Sequence, residues 1–222
     1  MKDIIVFGAT EITSWLIHSL VYEKQANIVA ITLEKAYVES SHFCGIKVVP
    51  FEELDSLFDM SNCQILITIG YNQMNNVRQR IYNQCKEKKY KIYTYISKRA
   101  IVDSTDNIGE GSIIMPGAFV GPHVHIGICN IINVGACISH SITIGNFNFI
   151  AGNVVFGGNV EMNNNCFIGI NTTIINGIHI ASYTFVGASA LINRDTEEYG
   201  VYTAVPTIKK EGKYSLDIVK KV

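Results

Sequence analysis

An apolar residue stands at every sixth position from Val102 to Ile192, through Ile108, Ile114, Val120, Ile126, Ile132 and onward, and no insertion breaks the count. A period of six matches neither the 3.6-residue turn of a helix nor the two-residue alternation of a strand. It predicts a coil whose sides are short strands, each turning one aliphatic side chain inward. The residue after the inward one is usually small, as at Gly109, Gly121, Gly127, Gly145, Gly157 and Gly169, and is expected to let the backbone turn. Three sides make a coil of eighteen residues, so residues eighteen apart stack at about 4.8 Å. Val120, Ile138, Phe156, Ile174 and Ile192 then form one internal ladder. Roughly five such coils are expected, each covering the apolar face its neighbour cannot bury alone.

Upstream of Val102 the pattern is different. Ile4 to Phe7 reads as a buried strand closed by Gly8, with Thr10 as N-cap of a helix from Glu11 to Glu23. Strands follow at Asn27 to Leu33, Lys47 to Pro50, Gln64 to Ile69 and Lys91 to Ile96. Helices are predicted over Phe51 to Phe58 and Asn75 to Lys88. Strands alternating with helices predict a parallel, Rossmann-like α/β sheet. The chain divides into an α/β unit over 1–100, a parallel β-helix over 101–198 and a tail over 199–222. Glu197, Glu198, Gly200 and Pro206 mark loop, and the lysine-rich tail from Thr207 fits a short helix or strand equally.

Composition narrows the function. The 222 residues are 48% hydrophobic with a formal charge of −1, which argues against a nucleic-acid partner that would need a basic surface. No apolar run is long enough to span a bilayer, and the N-terminus has no signal-peptide character. Six cysteines without CxxC pairs point to reduced packing residues and a cytoplasmic location.

Chemistry is expected at two places. Open α/β sheets bind ligands at the carboxyl ends of their strands. That gathers Gly8, Ala9, Thr10, Leu33, Glu34, Gly70, Tyr71 and Asn72 into one candidate rim, with the N-terminus of the first helix facing it. Gly8 is the only glycine of its turn, so a phosphate cradle and an ordinary tight turn fit equally, and the absent G-x-G-x-x-G argues against a nicotinamide dinucleotide. The second place is His140. It follows inward Ile138 by two, which puts it at a turn, pointing outward. A solvent-exposed turn histidine and a general base both fit that position.

The whole chain resembles the NeuD/PglD-type sugar acyltransferases. The match is carried by Ile4 to Thr10, by Ile69-Gly70-Tyr71-Asn72 with Asn76, Val77 and Arg78, by the hexads with Ser139-His140-Ser141, and by Val205-Pro206-Thr207-Ile208-Lys209. The resemblance implies a left-handed coil, a nucleotide-sugar site on the N-terminal domain and acetyl-CoA as donor, without a metal. His140 would be the base that deprotonates the acceptor amine. It also implies a homotrimer with sites between subunits. By the same resemblance the CoA would run past Gly158, Asn159, Asn176 and Ala188, with Arg194, Lys209 and Lys210 meeting its phosphates. Two positions depart from the family: Ser139 and Ser141 flank His140 where an acidic residue stands in other members, and Phe149 stands where some have a second histidine. His123 is eighteen residues before Ser141, so either of these two is a candidate for orienting His140 or binding the acceptor.

The expected activity is N-acetylation of a nucleotide-linked amino sugar for bacterial surface glycans. The alternatives are O-acetylation of a sialic-acid-type sugar and a non-catalytic β-helix that binds nucleotides. Carbonic anhydrases of the γ class share the coil but need three zinc-binding histidines, two of them five residues apart. Gly145 lies five residues after His140, and no other pair of histidines has that spacing.

Overall fold

The computed structural model describes residues 1–206 together with Lys209 and Glu211. Thr207, Ile208, Lys210 and residues 212–222 of the tail, for which a closing helix or strand was expected, lie outside the described residues.

The first part of the chain is β1 (Lys2–Phe7), α1 (Glu11–Glu23), β2 (Ala26–Leu33), β3 (His42–Phe43), β4 (Ile46–Pro50), α2 (Leu54–Leu57), β5 (Cys63–Ile67), α3 (Asn76–Glu87) and β6 (Lys91–Ile92). The sheet order is β3-β4-β2-β1-β5-β6. Every neighbouring pair is parallel except β3 with β4. Helix α1 starts where Thr10 leaves the extended region, and the Thr10 N–H donates to Thr13 Oγ1 at 3.2 Å. The helix expected over Phe51 to Phe58 is a 3-10 turn, Phe51–Glu53, running into the short α2.

The strand expected over Lys91 to Ile96 is two strands in two different sheets. Lys91–Ile92 pairs with β5, whereas β7 (Tyr95–Ile96) pairs with Ile113–Ile114 of the coil. Alternation in the sequence marks extended backbone but not which neighbour completes its hydrogen bonds.

From there two-residue strands stack in three parallel sheets, which fit a left-handed β-helix. The eighteen-residue register holds: Val120 pairs with Ile138, Ile138 with Phe156, Phe156 with Ile174 and Ile174 with Ile192. All five are buried in one apolar column. The region expected as loop after Asn193 adds one more strand, Val201–Tyr202, against Phe185–Val186. It covers the open backbone of that rung.

The turns are not made where the sequence pattern suggested. Backbone in the left-handed region falls three residues after the inward one, at His123, Ser141, Asn159 and Gly177 on one corner and at Gly135, Asn153, Asn171 and Ser189 on another. Glycine and asparagine suit that conformation, which accounts for the Asn-rich corners. The small residue next to the inward one serves close approach instead: a Cβ on Gly109 would lie 2.5 Å from the Gly127 carbonyl carbon one coil away.

The α/β unit rests on one face of the coil. Ile4, Val6, Leu16 and Leu66 share an apolar cluster with Ile113, Met115 and Ile131. A second cluster joins Ile65 and Ile81 to Cys129 and Phe147. Glu23, at the end of α1, ties the two parts together. Its carboxylate accepts from Ser97 Oγ at 2.6 Å, Lys98 N–H at 2.9 Å, Arg99 Nε at 3.0 Å and Tyr95 OH at 3.2 Å.

Candidate functional site

The carboxyl ends of β1, β2 and β5 open into a groove of about 590 Å³. Gly8, Ala9, Thr10, Leu33, Glu34, Gly70 and Asn72 line it, as the strand ends predicted, together with Tyr37, Glu39, Gln73, Val77 and Arg80. Tyr71 does not. Its ring turns to the coil and packs on Phe149 and Phe167, with centroids 5.0 and 4.6 Å away. Phe149, Phe167 and Phe185 are stacked on successive coils, and this apolar ladder draws the Tyr71 ring out of the groove.

Sequence reasoning missed Arg80. It forks onto Glu34, with Nη1 2.6 Å from Oε1 and Nη2 2.8 Å from Oε2. The hydrogen bonds from Arg80 hold the Glu34 carboxyl below its ordinary value despite partial desolvation. An arginine about one turn into a helix carries no sequence signal of its own. Only the carboxylate at the end of β2 pointed toward the pair.

His140 sits on the corner between Cys137–Ile138 and Thr143–Ile144 and is exposed. The corner is built by backbone bonds between coils: Ser141 N–H donates to Pro122 O, Asn159 N–H to His140 O, and Gly177 N–H to Gly158 O. The imidazole lies over Gly158, where a Cβ would stand 2.5 Å from Nε2 and 3.0 Å from Nδ1. Nδ1 is 3.5 Å from Ser141 Oγ, at the outer limit of a hydrogen bond. His123 is exposed on the coil below and makes no side-chain hydrogen bond to His140 or Ser141.

The residues expected to follow His140 along the coil divide. Gly158, Asn159 and Asn176 lie on its corner, and Arg194 continues it eighteen residues past Asn176, exposed beside a groove of about 380 Å³ that it lines with Tyr202 and Thr203. Ala188 does not lie there. It stands one corner away with Val134, Gly152 and Ile170, as the bonds Asn153 N–H to Val134 O, Asn171 N–H to Gly152 O and Ser189 N–H to Ile170 O show. Its separation from His140 is not a multiple of eighteen, so stacking cannot bring the two together. Lys209 is exposed.

One chain does not bring the groove to His140. The α/β unit packs on the sheet carrying Ile113, Ile131 and Phe149, and His140 lies at the junction of the other two sheets. Among the described residues no group of three or more His, Cys, Asp or Glu side chains is placed to hold a metal ion. No described helix is long and apolar enough to cross a membrane.

No family model matches the sequence, and no curated protein matches it. Solved structures do match. PerB from Caulobacter crescentus, in complex with CoA and GDP-perosamine, is 24% identical over 95% of this chain and 98% of its own, with a TM-score of 0.82. A histidine-to-alanine variant of GDP-perosamine N-acetyltransferase from the same organism, with the same two ligands, is 23% identical over the same shares, with a TM-score of 0.83. The acetyltransferase domain of PglB from Neisseria gonorrhoeae is 20% identical over 92% of this chain and 97% of its own, with a TM-score of 0.79. The fold is thus shared over nearly the whole chain with solved proteins, two of which are named as acetyltransferases.

Proposed function

We propose that this protein is an acetyl-CoA-dependent N-acetyltransferase acting on a nucleotide-linked amino sugar. The observation that carries the proposal is the exposed imidazole of His140, set on Gly158 at a coil corner, in a fold shared end to end with enzymes solved with CoA and GDP-perosamine.

The Rossmann-like unit over 1–100 holds the nucleotide in the groove between Gly8 and Arg80, with the α1 N-terminus toward the phosphates. The coil over 101–198 presents His140. The acceptor nitrogen attacks the thioester carbonyl carbon, the carbon–sulfur bond breaks, and CoA leaves as its thiol form. His140 takes the proton lost by the nitrogen and passes it to the departing sulfur. Both substrates are held in one complex, so proximity rather than a covalent enzyme intermediate lowers the barrier. Ser141 and His123 flank this position, and Arg194, Asn159 and Asn176 line the path proposed for the CoA.

Because groove and imidazole lie on different sides of one prism, the site is completed by a second subunit in a homotrimer. Four of the outward positions of one coil face support this: Ile101, Phe119, Val155 and Leu191 are 67%, 37%, 43% and 61% exposed, a largely apolar strip, broken by Thr173, of the kind that marks an interface.

The test is thiol release from acetyl-CoA with UDP-, dTDP-, GDP- and CMP-linked amino sugars, with mass spectrometry of the product. Acetylated amine supports the proposal. Acetylation of a hydroxyl would move the activity to O-acetyl transfer. No turnover with any of these sugars, and no thermal shift with acetyl-CoA, would favour a binding module.

A further inference from the structure

Arg78 leads the large side chains that are fully buried among the described residues. A guanidinium has five N–H donors, and all five are used. Nε donates to Cys129 O at 3.0 Å. Nη1 donates to Ile69 O at 3.0 Å and Gly70 O at 2.6 Å. Nη2 donates to Asn75 Oδ1 at 2.9 Å and Asn148 O at 3.0 Å. Every acceptor is a neutral carbonyl, and among the described residues no carboxylate pairs with the charge.

Burying an unpaired cation is costly, and an aliphatic side chain would fill the space at less expense. What the guanidinium adds is geometry. Its planar fork takes hold of Ile69 and Gly70, which line the groove, and of backbone carbonyls on the coil. Asn75 extends the grip: it is buried, and its Nδ2 donates to Cys166 O at 3.0 Å. Cys129, Asn148 and Cys166 belong to successive coils.

We infer that Arg78, with Asn75 as its second, is a positioning residue that fixes the Ile69–Gly70 floor of the groove to three successive coils of the β-helix, and so sets where a bound nucleotide lies relative to the coil. This rests on the nucleotide-binding role proposed above. Desolvation draws the guanidinium down to about 10, so it remains charged at neutral pH and keeps all its donors. Lysine cannot replace it, because an ammonium has three donors and no planar fork.

The test compares full-length wild type, Arg78→Lys and Asn75→Gly. Glycine suits position 75, whose φ is +67°, and removes both amide bonds without backbone strain. Calorimetry measures binding of GDP, UDP, dTDP and CMP, and of acetyl-CoA separately. Hydrogen exchange follows the amides of residues 69–73. The expected result is about ten-fold weaker nucleotide binding in Arg78→Lys and a smaller loss in Asn75→Gly. Acetyl-CoA binding should stay unchanged, and exchange at 69–73 should accelerate in both variants.

Nucleotide affinity within two-fold of wild type in the folded variants would overturn the inference. So would an equal loss of nucleotide and acetyl-CoA binding, which would make Arg78 a general structural residue. If Arg78→Lys does not fold, Asn75→Gly decides by the same criteria. If wild type binds none of the four nucleotides, the proposed function fails, and exchange alone decides the latch: unchanged rates at 69–73 in the variants would overturn it.

Discussion

The His140 imidazole lies on the backbone of Gly158, one coil further along, so closely that a Cβ there would come within 2.5 Å of Nε2. A coil with an eighteen-residue register puts these two residues face to face, and only glycine leaves room for the ring. Gly158→Ala must push the imidazole off its seat while leaving the inward column untouched. The expected outcome is a fall in kcat of about 10²-fold, the size of effect that a misplacement near 1 Å produces. Acetyl-transfer kinetics beside a thermal melt would check it: activity should collapse with little change in Tm.

Glu23 gives a prediction about stability. Desolvation pushes its carboxyl upward, and the donors from Ser97, Lys98, Arg99 and Gln25 outweigh that push, so it is held below its ordinary value of 4.5. A carboxyl lowered in the folded state binds fewer protons there than in the unfolded chain. Its contribution is therefore full above pH 4.5 and is lost as pH falls through the lower folded value. Glu23→Ala should cost about 2 kcal/mol at neutral pH, less than for a wholly buried pair because Arg99 is half exposed. Denaturant unfolding from pH 7 to pH 3 should show the gap between variant and wild type narrowing below pH 4.5.

The apolar strip of Ile101, Phe119, Val155 and Leu191 predicts an assembly defect. Leu191 is 61% exposed in one chain, so Leu191→Asp should leave the single-chain fold intact. Sedimentation should show the variant as a monomer, with transfer activity lost because groove and imidazole no longer meet. A fully active monomer would separate assembly from catalysis.

Much of the fold was legible from Val102 onward because every sixth residue repeats one physical demand, an aliphatic side chain facing a narrow column. Helix α1 was legible to its ends because Thr10 and the apolar spacing mark it. Other features were not. The Lys91 to Ile96 segment reads as one strand because alternation is blind to partners. Tyr71 was placed in the groove with its neighbours, but its ring found the Phe149–Phe167 ladder, far along the chain. Ala188 was joined to His140 although the register itself assigns it to another corner.

The groove was legible in outline, since strand ends in an α/β sheet lie together. Its charges were not. Arg80 and Glu34 meet across 46 residues, and Arg78 finds its acceptors on coils 51 and 70 residues away. No local pattern announces a cation whose partners are all neutral carbonyls.

The most direct measurement is steady-state acetyl transfer by His140→Ala with the acceptor identified in the thiol-release screen, alongside calorimetric binding of acetyl-CoA and of the nucleotide. If the imidazole removes the acceptor's proton, kcat falls by about 10²-fold or more while both ligands still bind. A kcat near that of wild type, with binding intact, would remove His140 from the chemistry and leave this corner of the prism without a role in catalysis.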